Sequence, residues 1–184
     1  MRHLLIIHFG DKMSDQRQRC IDSAYASYPD FAPQWITDEN VNQPMHELLT
    51  YLELDIEPRA WDRATLMGRT LSSDWLRAWM LSTMSCTLYA DTDVLHLRRF
   101  EFDDTSIQPY IIGRPAYSAM MYSAHACQYW RDLLAEKKRR RDWGNPQDAM
   151  SGDDGIPITR EYFQHFGASE NQHLADDKHW WMKG

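Results

Sequence analysis

The sequence predicts an α/β domain in which helices flank a central mixed, mostly parallel sheet. Residues 3–9 form an apolar run that closes on Gly10 and Asp11, as a buried strand does before a turn. Residues 15–28 repeat apolar side chains at helical spacing, and residues 31–36 have the composition of a second strand. This strand, helix, strand order predicts two parallel strands joined by a right-handed crossover.

Further elements follow along the chain. Residues 44–54 predict a second helix, and the N-cap chemistry of residues 72–74 predicts a helix that begins there and runs to Met84. We expect strands at residues 87–90, 110–113 and 119–122, a helix over residues 124–140, and loops rich in Gly and Pro beyond Trp143.

Length and composition set the class of protein. With 184 residues, of which 43% are hydrophobic and 12% aromatic, the chain fills one ordered domain, residues 1–184, but not two. The net charge of −7 disfavours general attraction to phosphate backbones, so no nucleic-acid partner is expected. The apolar run at residues 4–7 is too short for a signal peptide or a membrane span, which predicts a cytoplasmic protein.

The cysteines carry no obvious chemistry. Their number is odd, and no pair has C-x-x-C spacing, so neither a disulfide framework nor a thiolate zinc site is indicated. We expect buried thiols at Cys20, Cys86 and Cys127.

Two carboxylates follow the strand predicted at residues 87–90. Residues two apart in an extended chain project from the same face, so Asp91 and Asp93 are expected to converge. Such carboxylates repel each other unless a cation lies between them, and Mn²⁺ and Mg²⁺ prefer oxygen ligands. The pattern therefore predicts a metal site, although two acids on a solvated strand end also explain so short a motif.

A second pair of charges lies in the helix that precedes this strand. Asp74 and Arg77 are three residues apart and share one face of an otherwise apolar helix. Both a ligand-binding pair and a local ion pair at the start of the helix fit this spacing.

Together the two blocks resemble a known family. Residues 73–81 (SDWLRAWML) and 88–94 (LYADTDV) look like the S-D-x-x-R-x-x-x-L and Y-x-D-x-D motifs of the glycosyltransferase family named for its sugar-binding region containing a DXD motif. That family includes capsular polysaccharide transferases and α-mannosyltransferases. The first part of the chain is similar to the family's opening, I-I-H-x-x-W-F-G, C-I-x-S-W, P-D-Y-E and W-x-x-x-N, at residues 6–11, 20–23, 28–31 and 35–40.

The resemblance implies a GT-A fold and a metal-dependent transferase that retains anomeric configuration and uses a UDP- or GDP-sugar as donor. It implies that Asp91 contacts ribose or metal-bound water and that Asp93 ligates Mn²⁺ or Mg²⁺. Asp74 and Arg77 would bind hydroxyls of the donor sugar. The end of the first strand would lie near the nucleobase and ribose, through His8, Phe9 and Gly10.

The resemblance also divides the chain into a donor-binding part, about residues 1–113, and an acceptor side, about residues 114–184. Residues 178–181 are similar to the family's closing H-H-W segment, which makes His179 a further candidate for contact with the metal or the diphosphate. Asp148 is a candidate to face the acceptor. A tail histidine beside packing tryptophans and a solvated loop acid are the structural alternatives.

Where the family usually has Gly-Gly before its Y-x-D-x-D strand, this chain has Ser85 and Cys86. A run of five basic residues stands out later in this acidic protein, and it could contact an anionic membrane that carries the acceptor. A solvated helix end explains the same run, because cations favour helix C-termini. The run is Lys137, Lys138, Arg139, Arg140 and Arg141.

Two other function classes stay open. A catalytically degenerate GT-A domain would bind a saccharide or a partner; the short chain and the missing Gly-Gly favour it, whereas the presence of all four charged motif residues opposes it. A phosphohydrolase of the haloacid dehalogenase type also has D-x-D after an apolar strand, but it expects Thr or Val where Leu95 stands. No motif names a catalytic nucleophile, the donor sugar, the nucleobase or the acceptor, which is a saccharide, a lipid-linked group or a protein.

Overall fold

A computed structural model describes residues 1–10, 13–55, 61–96, 99–106, 109–114, 117–126 and 128–146. Within these ranges the strands are β1 (Arg2–Ile7), β2 (Phe31–Ile36), β3 (Thr87–Ala90), β4 (Tyr110–Arg114) and β5 (Tyr117–Ser123). The helices are α1 (Asp15–Ser27), α2 (Asn42–Leu52), α3 (Leu66–Thr83) and α4 (Gln128–Arg140).

The described strands form one five-stranded sheet in the order β2-β1-β3-β5-β4. Strand β1 pairs in parallel with both β2 and β3, whereas β5 pairs antiparallel with β3 and β4. Four strands therefore run in one direction and β5 runs against them, which confirms the predicted mixed, mostly parallel sheet. Because β1, β2 and β3 are parallel, the residues that follow them meet at one edge of the sheet, here called the carboxyl edge.

Strand β1 lies at the centre of two apolar layers. Leu5 and Ile7 pack into a cluster with residues of α2, α3 and α4, whereas Leu4 and Ile6 pack on the opposite face, into a cluster that includes Ile21 of α1. An unbroken apolar run is what a strand covered on both faces requires. The covering helices thus explain why the run showed no alternation.

The structure corrects the start of α3, which begins at Leu66 rather than at residues 72–74. Its N-cap is Thr65, whose hydroxyl accepts a hydrogen bond from the Gly68 backbone N–H at 3.0 Å. Gly68 lies so close to the preceding turn that a Cβ there would stand 1.9 Å from the Asp62 carbonyl oxygen. Ser72 is fully buried inside the helix, where its hydroxyl donates to the Trp61 carbonyl oxygen at 3.0 Å.

The entry into β3 has an unusual backbone. Cys86 has a positive φ of 51°, a left-handed conformation that costs a non-glycine residue roughly 1–2 kcal/mol. Two neighbouring segments hold it there: its N–H donates to the Ala124 carbonyl oxygen at 2.9 Å, and its carbonyl accepts from the His3 N–H at 2.8 Å. A glycine-like conformation is thus present at the position where the resembling family has glycine.

The expectation for the thiols holds only in part. Cys20 is buried, as predicted, whereas Cys86 is half-buried. The Cys86 thiol lies 3.2 Å from the Ala124 carbonyl oxygen, to which it can donate. Cys127 lies outside the described residues.

The predicted basic surface at the end of α4 is mostly engaged within the protein. Lys137 is only 1% exposed and is therefore not a surface residue. Four of the five cations lie within ion-pair distance of a carboxylate: Lys137 with Asp142, Lys138 with Glu53, and both Arg139 and Arg140 with Glu136. No helix in the described ranges has the length and apolar character that crossing a bilayer would demand.

His96 is a buried titratable residue shortly after β3. Its backbone N–H donates to the Ser23 hydroxyl at 2.8 Å, and its ring meets the Tyr28 ring edge-on at 5.7 Å. Burial lowers the pKa of His96 from 6.5 to about 4. The His96 imidazole is therefore neutral in the folded protein at neutral pH.

We predict that replacing Cys86 by glycine stabilises the protein. Cys86→Gly removes the strain of the positive φ, so the free energy of unfolding should rise by about 1 kcal/mol and the melting temperature by about 2–4 °C. Urea and thermal unfolding measure both. Ser85→Gly is the matched control, since Ser85 has no positive φ, and it should be neutral or destabilising. Equal effects of the two substitutions would contradict the strain argument.

We also predict that His96 makes stability depend on pH. A folded-state pKa below the unfolded value contributes stability that is complete above pH 6.5 and is lost as the pH falls towards about 4. At pH 5 the loss should reach about 2 kcal/mol. Denaturant unfolding at pH 7 and pH 5 should show a smaller difference for His96→Gln than for the native chain. His46→Gln, at an exposed position of α2, should leave the difference unchanged; if His96→Gln does so too, His96 is not its source.

Candidate functional site

The residues singled out in the sequence meet at the carboxyl edge. Asp91 directly follows β3, His8 directly follows β1, and Asp38 lies two residues beyond β2. Helix α3 packs across β1 and β3 and brings Asp74 and Arg77 to the same edge. His179 and Asp148 lie outside the described residues.

Arg77 is the centre of this site. Its side chain is only 5% exposed, and its guanidinium forms an ion pair with Asp74 one turn earlier in α3. Nη1 also lies 3.3 Å from Oδ1 of Asp91 and 3.4 Å from the Tyr89 hydroxyl, and the guanidinium stands 5.1 Å from the centre of the Tyr89 ring. The ion pair between Asp74 and Arg77 is therefore local, as one reading of the sequence predicts, and it also reaches the D-x-D segment.

The same contacts shift the acid–base behaviour of the cluster. Burial opposes the charge of Arg77, but the charge of Asp74 and then of the other neighbours outweighs it and raises the pKa of the guanidinium. Burial, reinforced by the charge of Asp91, raises the pKa of Tyr89 well above 10. Tyr89 therefore keeps its proton, and its hydroxyl donates a hydrogen bond to Oδ1 of Asp91 at 2.5 Å.

Asp91 is the accessible carboxylate of this cluster. Its side chain is 28% exposed, against 7% for Asp74. Burial raises the pKa of Asp91 to about 6, although the Arg77 charge and the Tyr89 hydrogen bond act in the opposite direction. At neutral pH Asp91 is thus an ionised carboxylate with one oxygen held by two donors.

Asp93 is placed by a turn, not by the strand. Strand β3 ends at Ala90, and the Val94 N–H donates to the Asp91 carbonyl oxygen at 3.4 Å, so the alternation used to predict convergence does not apply. The charge of Asp93 nevertheless raises the pKa of Asp91. The pKa of Cys20 in α1 is also raised, mainly by burial and in smaller part by the charge of Asp93. Asp93 is thus close enough to interact electrostatically with Asp91 and with Cys20, while Arg77 holds Asp91 beside α3.

The metal that the family resemblance implies can be tested against these residues. In the described ranges, no three His, Cys, Asp or Glu side chains are grouped so that they could hold a metal ion. Mg²⁺, however, is typically bound by one or two carboxylates, with water and substrate phosphates completing its shell. Asp91 and Asp93 fit that kind of site, in which the nucleotide brings part of the coordination.

The end of β1 adds residues that the sequence did not single out. The Gly10 N–H donates to Oδ2 of Asp38 at 2.8 Å, and Oδ1 of Asp38 lies 3.6 Å from Nε of Arg63. The Arg63 guanidinium stands 5.7 Å from the centre of the Phe9 ring. Phe9 and Gly10 are thus at the edge, as expected, whereas Arg63 and Asp38 were missed. Only Asp38 had a usable signal, its position just beyond a parallel strand.

A comparison with solved structures shows a protein of similar fold. A solved structure described as "PaToxG Glycosyltransferase" matches with a TM-score of 0.53 and 13% sequence identity, over 100% of this chain and 81% of that chain. No sequence profile of a protein family matches the chain, and no curated protein matches it. The chain therefore has a glycosyltransferase-like fold.

We predict opposite stability effects for the two carboxylates that face Arg77. Asp74→Asn weakens the pairing of a buried guanidinium and should cost roughly 3 kcal/mol. Asp91→Asn should leave the stability at pH 8 unchanged or raise it, because an ionised carboxylate whose pKa is raised by burial opposes folding. Urea unfolding at pH 8 with EDTA measures both. Equal losses in the free energy of unfolding would show that Asp91, like Asp74, stabilises the buried charge of Arg77, and would contradict the prediction.

Proposed function

We propose that the protein is a glycosyltransferase that takes its sugar from a UDP- or GDP-linked donor bound at the carboxyl edge. The observation that supports this most is the cluster of Asp74, Arg77, Tyr89 and Asp91, built at the end of β3 within a glycosyltransferase-like fold. In open α/β sheets, ligands bind beyond the carboxyl ends of the strands.

In this proposal Asp91 and Asp93 would hold Mn²⁺ or Mg²⁺, and the ion would bind the diphosphate of the donor. When bound, the ion would neutralise the charge that develops on the departing nucleoside diphosphate. Tyr89 and Arg77 hold Oδ1 of Asp91, which orients the carboxylate. Their part is therefore to position Asp91.

Asp74 and Arg77 form an ion pair inside the protein, where both side chains are more than nine-tenths buried. Contact between these two residues and hydroxyls of the donor sugar stays a prediction of the sequence resemblance. Retention of configuration is a prediction of the same resemblance. A cytoplasmic location and contact with an anionic membrane stay predictions from the apolar run at residues 4–7 and the basic run at residues 137–141.

The degenerate binding domain is the alternative most directly affected by the structure. One argument for it was the replacement of the family's Gly-Gly by Ser85 and Cys86. Because Cys86 adopts the left-handed conformation, β3 still pairs with β1 and β5. The replacement therefore does not displace the strand that positions Asp91.

The proposal predicts that donor binding depends on a divalent ion and on Asp93. Thermal unfolding with a panel of UDP- and GDP-sugars, each with Mn²⁺ or EDTA, should show one donor that stabilises the chain with Mn²⁺ only. At a donor concentration about 100 times Kd the gain is about 2.7 kcal/mol, or roughly 5–11 °C.

Asp93→Asn should abolish that shift and sugar transfer while leaving the protein folded. Asp22→Asn, an exposed acid of α1, is the matched control and should keep both. A normal transfer rate in Asp93→Asn would show that the metal site is wrongly assigned. A folded chain that no donor stabilises would favour the degenerate binding domain, and release of phosphate from aryl phosphates would favour the phosphohydrolase.

A further inference from the structure

Arg69 lies against the backbone at the end of β1. Gly10 has a positive φ of 98°, and a Cβ built on it would stand only 2.1 Å from Nη1 and 2.9 Å from Cζ of Arg69. The guanidinium therefore rests on the Gly10 Cα, in space that a side chain at residue 10 would fill. A larger residue at position 10 would be strained at this φ and would displace the guanidinium.

The charge of Arg69 is not neutralised within the described ranges. No hydrogen bond, ion pair or ring contact there involves its half-buried side chain. Arg77 on the same helix contacts Asp74, Tyr89 and Asp91, and Arg63 nearby reaches Asp38. Within the described ranges, the guanidinium N–H groups of Arg69 therefore remain available to a bound ligand.

The position of Arg69 is defined by the sheet order. Arg69 precedes Arg77 by two turns of α3, which is roughly 12 Å along the helix axis. Arg69 meets Gly10, three residues beyond the end of β1, whereas Arg77 meets Asp91, the first residue beyond the end of β3. Strands β1 and β3 are neighbours in the sheet. A ligand lying across these strand ends would meet Asp91 and Asp93 on one side and Arg69 on the other.

We propose that Arg69 recognises the donor nucleotide, binding two adjacent hydrogen-bond acceptors of it at the end of β1. This inference rests on the proposed function and deepens it by naming a residue that determines nucleotide affinity. A guanidinium presents parallel N–H donors in a fixed plane and so matches a pair of neighbouring acceptors better than a single one.

Two parts of a nucleotide carry such a pair. A phosphate group presents its non-bridging oxygens, and guanine presents O6 and N7 side by side. Uracil lacks two adjacent acceptors. Binding through phosphate would make Arg69 equally important for UDP, GDP and inorganic pyrophosphate, whereas binding through guanine would confine its effect to GDP.

Calorimetric titration with UDP, GDP and inorganic pyrophosphate, each with Mn²⁺, tests the inference. Arg69→Gln should weaken binding of at least GDP by roughly 10- to 100-fold, the range expected for lost hydrogen bonds to a charged group. Arg69→Lys keeps the charge but loses the planar fork, so it should recover only part of the affinity. Gly10→Ala should resemble Arg69→Gln, because the added Cβ displaces the guanidinium.

The matched control is Arg19→Gln, which makes the same charge change at an exposed position of α1 and should leave every affinity unchanged. Thermal unfolding without ligand checks that the variants are folded. If the native chain binds a nucleotide and Arg69→Gln binds it equally well, the inference is wrong and the proposed function stands. If the native chain binds none of the three ligands, both are wrong.

Discussion

The site depends on the burial of one positive charge. Removing a guanidinium from water costs several kcal/mol, and Arg77 is 4% exposed, so it must be surrounded by acceptors. Asp74 supplies one from the same helix and Asp91 supplies another from the end of β3. Asp74 compensates most of the buried charge, and the remaining donor capacity of Arg77 links α3 to the D-x-D segment and orients Asp91.

The cluster also determines what the edge can bind. With Arg77 compensated, Asp91 and Asp93 leave the edge with excess negative charge at neutral pH. A bare diphosphate would be repelled there, whereas a diphosphate that carries a divalent ion would be attracted. Under the proposed function, this charge balance favours a diphosphate that arrives with a divalent ion, and the affinity for a nucleotide would also depend on cations farther along the edge.

The sequence predicted best what local pattern determines. Strands β2 and β3 have the predicted bounds, because each is a short apolar segment between clear turn signals. The predicted start of α3 was wrong, because residues 72–74 satisfy N-cap preferences and Gly68 resembles a helix breaker. The reason for Gly68 is its contact with Asp62, which only the folded turn shows. Arg63 and Arg69 were missed for a similar reason: the sheet order alone brings them to the end of β1.

Cys86 shows how a departure from a motif can leave a site intact. Backbone hydrogen bonds from two sides impose its conformation: one from His3 in β1 and one to Ala124, which directly follows β5. The strain of a non-glycine residue is about 1–2 kcal/mol, which is small beside the pairing of β3 with both neighbours. The half-buried thiol lies 3.2 Å from the same Ala124 carbonyl oxygen, to which it can donate. A cysteine at the position where the resembling family has glycine should therefore lower the stability, while β3 keeps its pairing with both neighbours.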